Sequence, residues 1–139
     1  MIAATPVVPL SIQHIAKRRA GALAYIPTRA PFGYRYLSYS WNASTKQLAI
    51  RLHDKHYAAS NTKRTITVTA SWFAGPLAQC GVGNEKSYQV DGNRVFSAGA
   101  TLTWRCVKGT GGRIVKISSS DQNMPTSTLA IVASSVRRL

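Results

Sequence analysis

Residues 53–56 read His-Asp-Lys-His and form the most suggestive group of metal ligands in the sequence. Two imidazoles three positions apart beside a carboxylate can bind a divalent cation when the segment forms one turn of a helix. Here the group stands where a strand pattern gives way to a polar stretch, and Lys55 places a positive charge among the ligands. We therefore expect a solvated loop and no metal site. His14 has no acidic or cysteine partner nearby and is predicted to be a surface or half-buried side chain.

Two further patterns are related to catalytic motifs but lack their defining residues. The abundant serines include no Gly-x-Ser-x-Gly sequence, which would present a nucleophilic serine on a sharp turn. Residues 108–112 read Lys-Gly-Thr-Gly-Gly, but the Gly-Lys-Ser/Thr ending of a phosphate-binding loop is missing, and a strand pattern follows instead of a helix. We expect a hairpin loop there. The sequence predicts no catalytic residue, no metal and no cofactor, and therefore a protein that is not an enzyme.

Cys80 and Cys106 are the two cysteines of the chain. Cys80 lies in a loop-like segment with Pro76 and Gly81, whereas Cys106 lies near the end of a strand-like segment. A disulfide between them would contribute about 3 to 4 kcal/mol of stability by the chain-entropy argument. The alternative is two reduced, unrelated thiols. A zinc site is disfavoured, because two cysteines without a nearby histidine or third cysteine do not complete its ligand set.

The charge of the chain is unusual because acids are scarce. Eighteen Lys and Arg residues face only four Asp and Glu residues, which gives a formal net charge of +14, although charged residues make up only 16% of the chain. A typical soluble domain has about 25% charged residues. The shortage of carboxylates disfavours calcium cages, two-metal carboxylate sites and hydrolases with paired carboxylates.

A positive field of this size attracts polyanions. An anionic envelope component, such as a wall polymer or acidic lipid headgroups, and an acidic protein are the predicted partners, with a nucleic acid as the alternative. Ten of the basic residues precede residue 71 and eight follow it. On the faces predicted to be exposed, single cations such as Arg51, Arg105 and Lys116 alternate with Thr, Ser and Gln, which indicates an evenly basic surface. The candidate polyanion-binding patch requires the first and last helices to lie side by side and consists of Lys17, Arg18, Arg19, Arg137 and Arg138.

Hydropathy patterns predict the elements that position these residues. Residues 1–10 are expected to form an irregular N-terminal arm and residues 11–139 a single domain. Ser11 is predicted to cap a short helix that ends near Ala20. A short first strand is predicted at residues 22–27. Alternation of apolar and polar residues predicts the later strands, which lie at residues 34–41, 47–53, 65–73, 88–90, 94–97, 102–107 and 113–118.

The last element is predicted to be an amphipathic helix. It begins near Pro125, and Arg137 and Arg138 at its end would be favoured by the helix dipole. Its apolar positions recur at helical spacing, at Leu129, Val132, Ala133 and Val136. The order of elements predicts an α+β fold in which helices pack on an antiparallel sheet. Within the strand at residues 34–41, we expect Leu37, Tyr39 and Trp41 to share one face.

The order of several short motifs resembles an uncharacterised domain found at the C-terminal, extracytoplasmic end of Gram-positive lipoproteins and anti-sigma-factor-like proteins. The motifs are Tyr-Ile-Pro at residues 25–27, a Pro-x-Gly-Tyr opening at residues 31–34, Tyr-Ser-Trp at residues 39–41, Val-Asp-Gly-Asn-Arg-Val-Phe at residues 90–96, Leu-Thr-Trp at residues 102–104 and a closing helix at residues 127–136.

The resemblance implies a curved antiparallel sheet with a terminal helix, located outside the membrane, in a family without a known activity. It supplies no catalytic residues, and the high positive charge and the pair Cys80 and Cys106 depart from the family pattern. The longest apolar stretch, residues 20–26, is far shorter than the roughly 20 residues of a transmembrane helix. We therefore expect a non-enzymatic extracytoplasmic binding or structural module whose leader or anchor is absent from this chain; the alternative is a charge-driven polyanion- or nucleic-acid-binding protein.

Overall fold

A computed structural model describes residues 6–54, 64–72, 86–90, 92–98, 102–107, 112–120 and 124–139. The described residues form helices α1 (Leu10–Ala20) and α2 (Thr126–Ser135), a short 3-10 helix (Gly21–Leu23), and strands β1 (Tyr25–Ile26), β2 (Tyr34–Asn42), β3 (Gln47–Asp54), β4 (Thr65–Trp72), β5 (Lys86–Val90), β6 (Asn93–Ala98), β7 (Leu102–Val107), β8 (Arg113–Ser119) and β9 (Arg137–Arg138). None of the helices in this part of the chain is long and apolar enough to cross a membrane.

Seven strands form one antiparallel sheet in the order β2-β3-β4-β8-β7-β6-β5. Two runs of neighbouring strands, β2 to β4 and β5 to β7, are joined because β8 pairs with the last strand of each run. The sheet is open, with β2 and β5 at its edges. Strands β1 and β9 form a separate antiparallel pair. The predicted α+β class, with an N-terminal and a C-terminal helix on an antiparallel sheet, is confirmed.

One face of the sheet, which we call the inner face, is buried and mainly apolar. Alternate residues of the central strands point to it because side chains alternate between the two faces of a strand. Helix α2 covers this face with Leu129, Val132 and Ala133, and burying such a side chain contributes about 1.5 to 3 kcal/mol when it is large and aliphatic. The aliphatic strand residues that are buried on this face are Leu48, Ile50, Leu52, Ile66, Val68, Ala70, Val95, Val115 and Ile117.

Helix α1 packs on β2 and β3 on the inner face and exposes its cations. It buries Ala16 and Ala20 in a cluster with Leu48 of β3. The helix begins one residue before the predicted cap, because the carbonyl of Pro9 accepts hydrogen bonds from the backbone N–H groups of the first turn. It ends where Gly21, at φ +55°, donates its N–H to the Lys17 carbonyl, a backbone conformation that favours glycine.

The end of α2 differs from the sequence prediction. The helix ends at Ser135, so the prediction that Arg137 and Arg138 lie at the end of the helix is wrong. Val136 is extended and buried, and the two arginines form β9 opposite β1. A further bond, from the Leu139 N–H to the Ala24 carbonyl at 2.8 Å, extends this pairing. Backbone pairing with the segment after α1 thus replaces another turn of helix. The first strand is also shorter than predicted, because a 3-10 helix occupies its first residues.

A β-bulge in β2 changes which residues of that strand face the core. Tyr36 stands opposite Leu52, but Ser38 stands opposite Arg51, so the register shifts at the residue between them, Leu37. An extra residue in one strand moves the following side chains to the other face.

Tyr34 and Tyr36 therefore face inward before the bulge, and Tyr39 and Trp41 face inward after it. The expectation that Leu37 shares a face with Tyr39 and Trp41 is wrong for this reason.

Candidate ligand-binding face of the sheet

The second face of the sheet, which we call the outer face, is polar. It consists of the alternate residues that point away from the helices. The described elements, including both helices and the β1–β9 pair, pack on the inner face. Apart from Ala49 and Ile114, whose side chains are buried, the described side chains of the outer face are exposed or half-buried. Its hydroxyl residues include Ser38 and Ser40 on the edge strand β2, and Thr65, Thr67, Thr69, Ser71 and Ser118 on the central strands β4 and β8.

Four cations of the outer face lie along one diagonal. Arg35 lies on β2, Arg51 on β3, Lys116 on β8 and Arg94 on β6. In this order, each cation is further across the sheet than the one before it. Each is also displaced in the same direction along the strands. From the ordinary spacing of strands and residues, Arg51 and Lys116 are about 12 Å apart between Cα atoms, and Lys116 and Arg94 are also about 12 Å apart. Arg35 is about 8 Å from Arg51 by the same geometry. The four cations therefore form one line that runs from β2 to β6.

The carboxylate that belongs to the described residues, Asp54, lies on the other side of the sheet. Asp54 ends β3 opposite Tyr34, is 8% exposed, and has an oxygen 3.6 Å from Nη1 of Arg64. No other Asp or Glu belongs to the described residues. On the outer face, Arg51 donates a hydrogen bond of 3.5 Å to the Ser40 hydroxyl, which is a neutral partner. Among the described residues the outer face therefore carries positive charge that no carboxylate on that face neutralises.

Two aromatic rings lie beside the diagonal. Phe96 and Trp104 are directly opposite each other on β6 and β7, with ring centroids 6.0 Å apart and ring planes inclined by 29°. Lys116 is the partner of Trp104 on the next strand, and residues opposite each other in neighbouring strands have Cβ atoms about 5 Å apart. Both rings are half-buried and lie on the outer face. The pair and Lys116 together form an aromatic surface with an adjacent cation.

The candidate patch predicted from the sequence is only partly brought together. Lys17, Arg18 and Arg19 are exposed on α1. A cavity of about 190 Å³ is lined by Lys17 and by Leu139, the residue after β9, so α1 and the C-terminal segment are neighbours. Arg137, however, donates hydrogen bonds to the carbonyls of Ser134 at 2.7 Å and Val136 at 3.1 Å, and its guanidinium group is partly used within the chain. Arg138 is exposed.

A larger cavity lies at the β2 edge of the sheet. Its volume is about 590 Å³, and Arg35, the first cation of the diagonal, lies in its wall. Burial raises the pKa of the Tyr36 hydroxyl above its ordinary value of 10.0, and the neighbouring Tyr39 adds to this effect. The described lining residues are Pro6, Val7, Pro9, Tyr34, Arg35 and Tyr36.

The group at residues 53–56 forms no metal site among its described residues. His53 and Asp54 are the last two residues of β3 and therefore point to opposite faces. His53 lies in the strand predicted at residues 47–53, whereas the expectation of a solvated loop is wrong for Asp54, which also belongs to the strand and is buried. Lys55 and His56 lie outside the described residues. Within the described part of the chain, no group of three or more His, Cys, Asp or Glu residues is placed to hold a metal ion.

Several other predictions fall outside the described residues, in whole or in part. Cys106 is half-buried on the outer face, opposite Ile114. Cys80 is not among the described residues, so the disulfide stays a prediction. The loop at residues 108–112 is described only at Gly112, and of Arg105 only the backbone is described. His14 is exposed on α1, as expected of a surface side chain.

The sequence identified some cations of the outer face but not their alignment. Arg51 and Lys116 were recognised as single cations among polar residues, which indicated an evenly basic surface. Arg35, Arg94 and the Phe96–Trp104 pair were missed, because their alignment depends on the order in which the strands pair. No family model, no curated protein and no solved structure matches this chain. The resemblance to the extracytoplasmic lipoprotein domain therefore stays a prediction.

Proposed function

We propose that this chain is a binding module without enzymatic activity, which acts outside the cytoplasm and binds a polyanion on the outer face of its sheet. The observation that carries the proposal is the diagonal formed by Arg35, Arg51, Lys116 and Arg94, with no described carboxylate on the same face. Cations aligned on one face create a field that raises the local concentration of an anionic ligand.

The diagonal is favoured over the patch on α1 and β9 because its cations are fixed by the sheet. Side chains on paired strands are held at defined spacings, which lowers the entropy lost when several contacts form together. In the other patch, Arg137 already donates hydrogen bonds to the end of α2. The exposed cations of α1 contribute to the general positive field in this proposal, but they do not form the binding surface.

The location outside the cytoplasm is supported by the family resemblance and by the predicted disulfide, since structural disulfides persist in oxidising compartments. The expected ligand is an anionic component of a cell envelope or an acidic protein, with a nucleic acid as the alternative polyanion. All of these ligands share the negative charge that the diagonal would bind. The proposal includes no catalytic residue, no metal and no cofactor.

Retention on immobilised heparin tests the proposed face directly. The test variant carries R51Q, R94Q and K116Q, and the matched control carries K17Q, R18Q and R19Q, so both lose three positive charges. At about 1 kcal/mol per cation near an anionic surface, we expect the outer-face variant to bind heparin roughly a hundredfold more weakly. We expect less than about a fivefold change for the control, because charges further than a Debye length of about 10 Å from the ligand are screened.

The result that contradicts the proposal is an equal loss for both variants, which would show that only net charge matters. A larger loss for the α1 variant would assign binding to the patch predicted from the sequence. Unfolding curves of both variants provide the folding control, because surface substitutions usually change stability by less than about 0.5 kcal/mol.

A further inference from the structure

The Phe96–Trp104 pair is an aromatic surface that a ligand made only of charges would not need. The other two tryptophans occupy inner-face positions of their strands. Trp41 packs against the cluster beneath α1, and the Trp72 ring has the guanidinium carbon of Arg113 at 5.0 Å from its centroid. Trp104 instead lies on the outer face, with Phe96 beside it and Lys116 as its cross-strand neighbour.

We infer that the Phe96–Trp104 pair binds the sugar rings of an anionic polysaccharide, whose acidic groups lie on the cationic diagonal. This inference rests on the proposed function and adds the chemical class of the ligand. One face of a pyranose ring carries mainly C–H bonds, which fit the electron-rich face of an aromatic ring. A sugar acid placed on Trp104 brings its carboxylate or sulfate within reach of the Lys116 ammonium group.

The surroundings of the pair favour a polysaccharide over a nucleic acid. Between Lys116 and Arg51, the outer face presents Thr67, Thr69 and Ser118, whose hydroxyls both donate and accept hydrogen bonds. Sugar hydroxyls need such partners at every ring. Proteins that bind single-stranded nucleic acids stack successive bases on successive aromatic side chains. The described outer face has one aromatic pair at one part of the diagonal, followed by hydroxyl residues.

The cations on either side of the pair fit a ligand that runs across the strands. The line from Lys116 to Arg94 passes beside Trp104 and Phe96, because Arg94 lies two residues from Phe96 on the same strand. Ring contact and charge contact therefore fall on the same path. A polymer with both sugar rings and acidic groups uses both kinds of contact, whereas polyphosphate uses only the charges.

The test compares two polyanions with purified full chain: heparin, which has sugar rings, and polyphosphate, which has none. Dissociation constants are measured for the wild type, for W104L, for W104F and for W72L as a matched loss of a tryptophan elsewhere. Loss of one ring contact is expected to weaken heparin binding about five- to tenfold in W104L. W104F should restore most of the affinity. Polyphosphate binding should change by less than about twofold in every variant, and W72L should bind both ligands like the wild type.

Equal losses of heparin and polyphosphate affinity in W104L would overturn the inference, as would no loss at all. An oligothymidylate is the third probe: if W104L weakens its binding more than that of heparin, the aromatic pair binds nucleobases and the inference fails. In each of these cases, the proposed function still stands if the outer-face charge variant weakens heparin binding more than the α1 variant does. If it does not, the proposed function itself fails.

Discussion

The two faces of the same seven-stranded sheet use their side chains for different purposes. On the inner face, side chains such as Ile50 and Ile117 are completely buried by the helices. On the outer face, the neighbouring residue Arg51 is half-buried and the neighbouring residue Ser118 is exposed. The backbone pairing is common to both faces, so the difference lies in the side chains alone. The described hydrophobic clusters lie on the inner face, whereas the outer face carries the aligned cations and the Phe96–Trp104 pair.

The largest expected effect is a loss of stability on the inner face. I117A removes a completely buried aliphatic group and is expected to lower the free energy of unfolding by about 2 to 5 kcal/mol. S118A, one residue further along β8 on the outer face, is the matched control and should change it by less than about 0.5 kcal/mol. Urea unfolding curves measure both. Similar losses for the two variants would show that the outer face is also covered.

The predicted disulfide gives the next effect and concerns the outer face, where Cys106 lies. If Cys80 and Cys106 are bridged, C80S/C106S should lower the free energy of unfolding by about 3 to 4 kcal/mol. Alkylation of the unreduced, denatured chain should then modify neither cysteine, as mass spectrometry will show. Two alkylated thiols in protein from its native host would contradict both the bridge and the proposed location outside the cytoplasm.

A smaller loss is expected where the segment after β1 is attached to the end of α2. The Ser135 hydroxyl accepts hydrogen bonds from the backbone N–H groups of Thr28 at 3.2 Å and Arg29 at 3.1 Å, and it donates one to the Val132 carbonyl. S135A leaves these donors without that partner, which costs about 1 to 3 kcal/mol. S127A, at an exposed position of α2, is the control. Equal melting temperatures for the two variants would contradict the assigned role of the Ser135 hydroxyl.

The smallest effect is a pH dependence of the β2 edge. Because burial and the nearby Tyr39 raise the pKa of Tyr36 in the folded chain, the folded state holds this proton more tightly than the unfolded state does. The stabilising contribution is complete below pH 10 and is lost as pH rises through the higher pKa of the folded state. Y36F should therefore lose less stability than the wild type in unfolding experiments above pH 10. A steeper loss in Y36F would contradict the assigned shift.

Alternation of apolar and polar residues was enough to predict most strands and the inner face. In β3 and β4, apolar residues such as Leu48, Ile50 and Val68 occupy every second position. The pattern at residues 102–107 matched β7 in full. The β2 bulge was not predictable, because each side of Leu37 has a separate alternation and only the pairing with β3 shows the extra residue. Likewise, the short β9 strand depends on a partner more than 100 residues away.

The candidate site was less predictable than the fold. Arg51, Arg105 and Lys116 were predicted to be exposed. The register pairs Arg105 with Val115 of the inner face, whereas Arg51 and Lys116 belong to the outer face. Their alignment with Arg35 and Arg94 follows from the position of β8 between β4 and β7, and no local pattern encodes that order. A cluster of cations in sequence, such as Lys17 to Arg19, is easily recognised, whereas a line of cations on separate strands requires the topology.

The salt dependence of heparin binding tests the outer-face proposal most directly. Each contact between a cation and a polyanion releases a counterion and contributes about 0.7 to 0.9 to the slope of log K against log salt for nucleic acids. For R51Q/R94Q/K116Q we predict a slope that is smaller than that of the wild type by about 2 to 3, on the same scale. For K17Q/R18Q/R19Q we predict a slope close to that of the wild type. An unchanged slope for the outer-face variant, or an equal decrease in both variants, would contradict binding on the outer face.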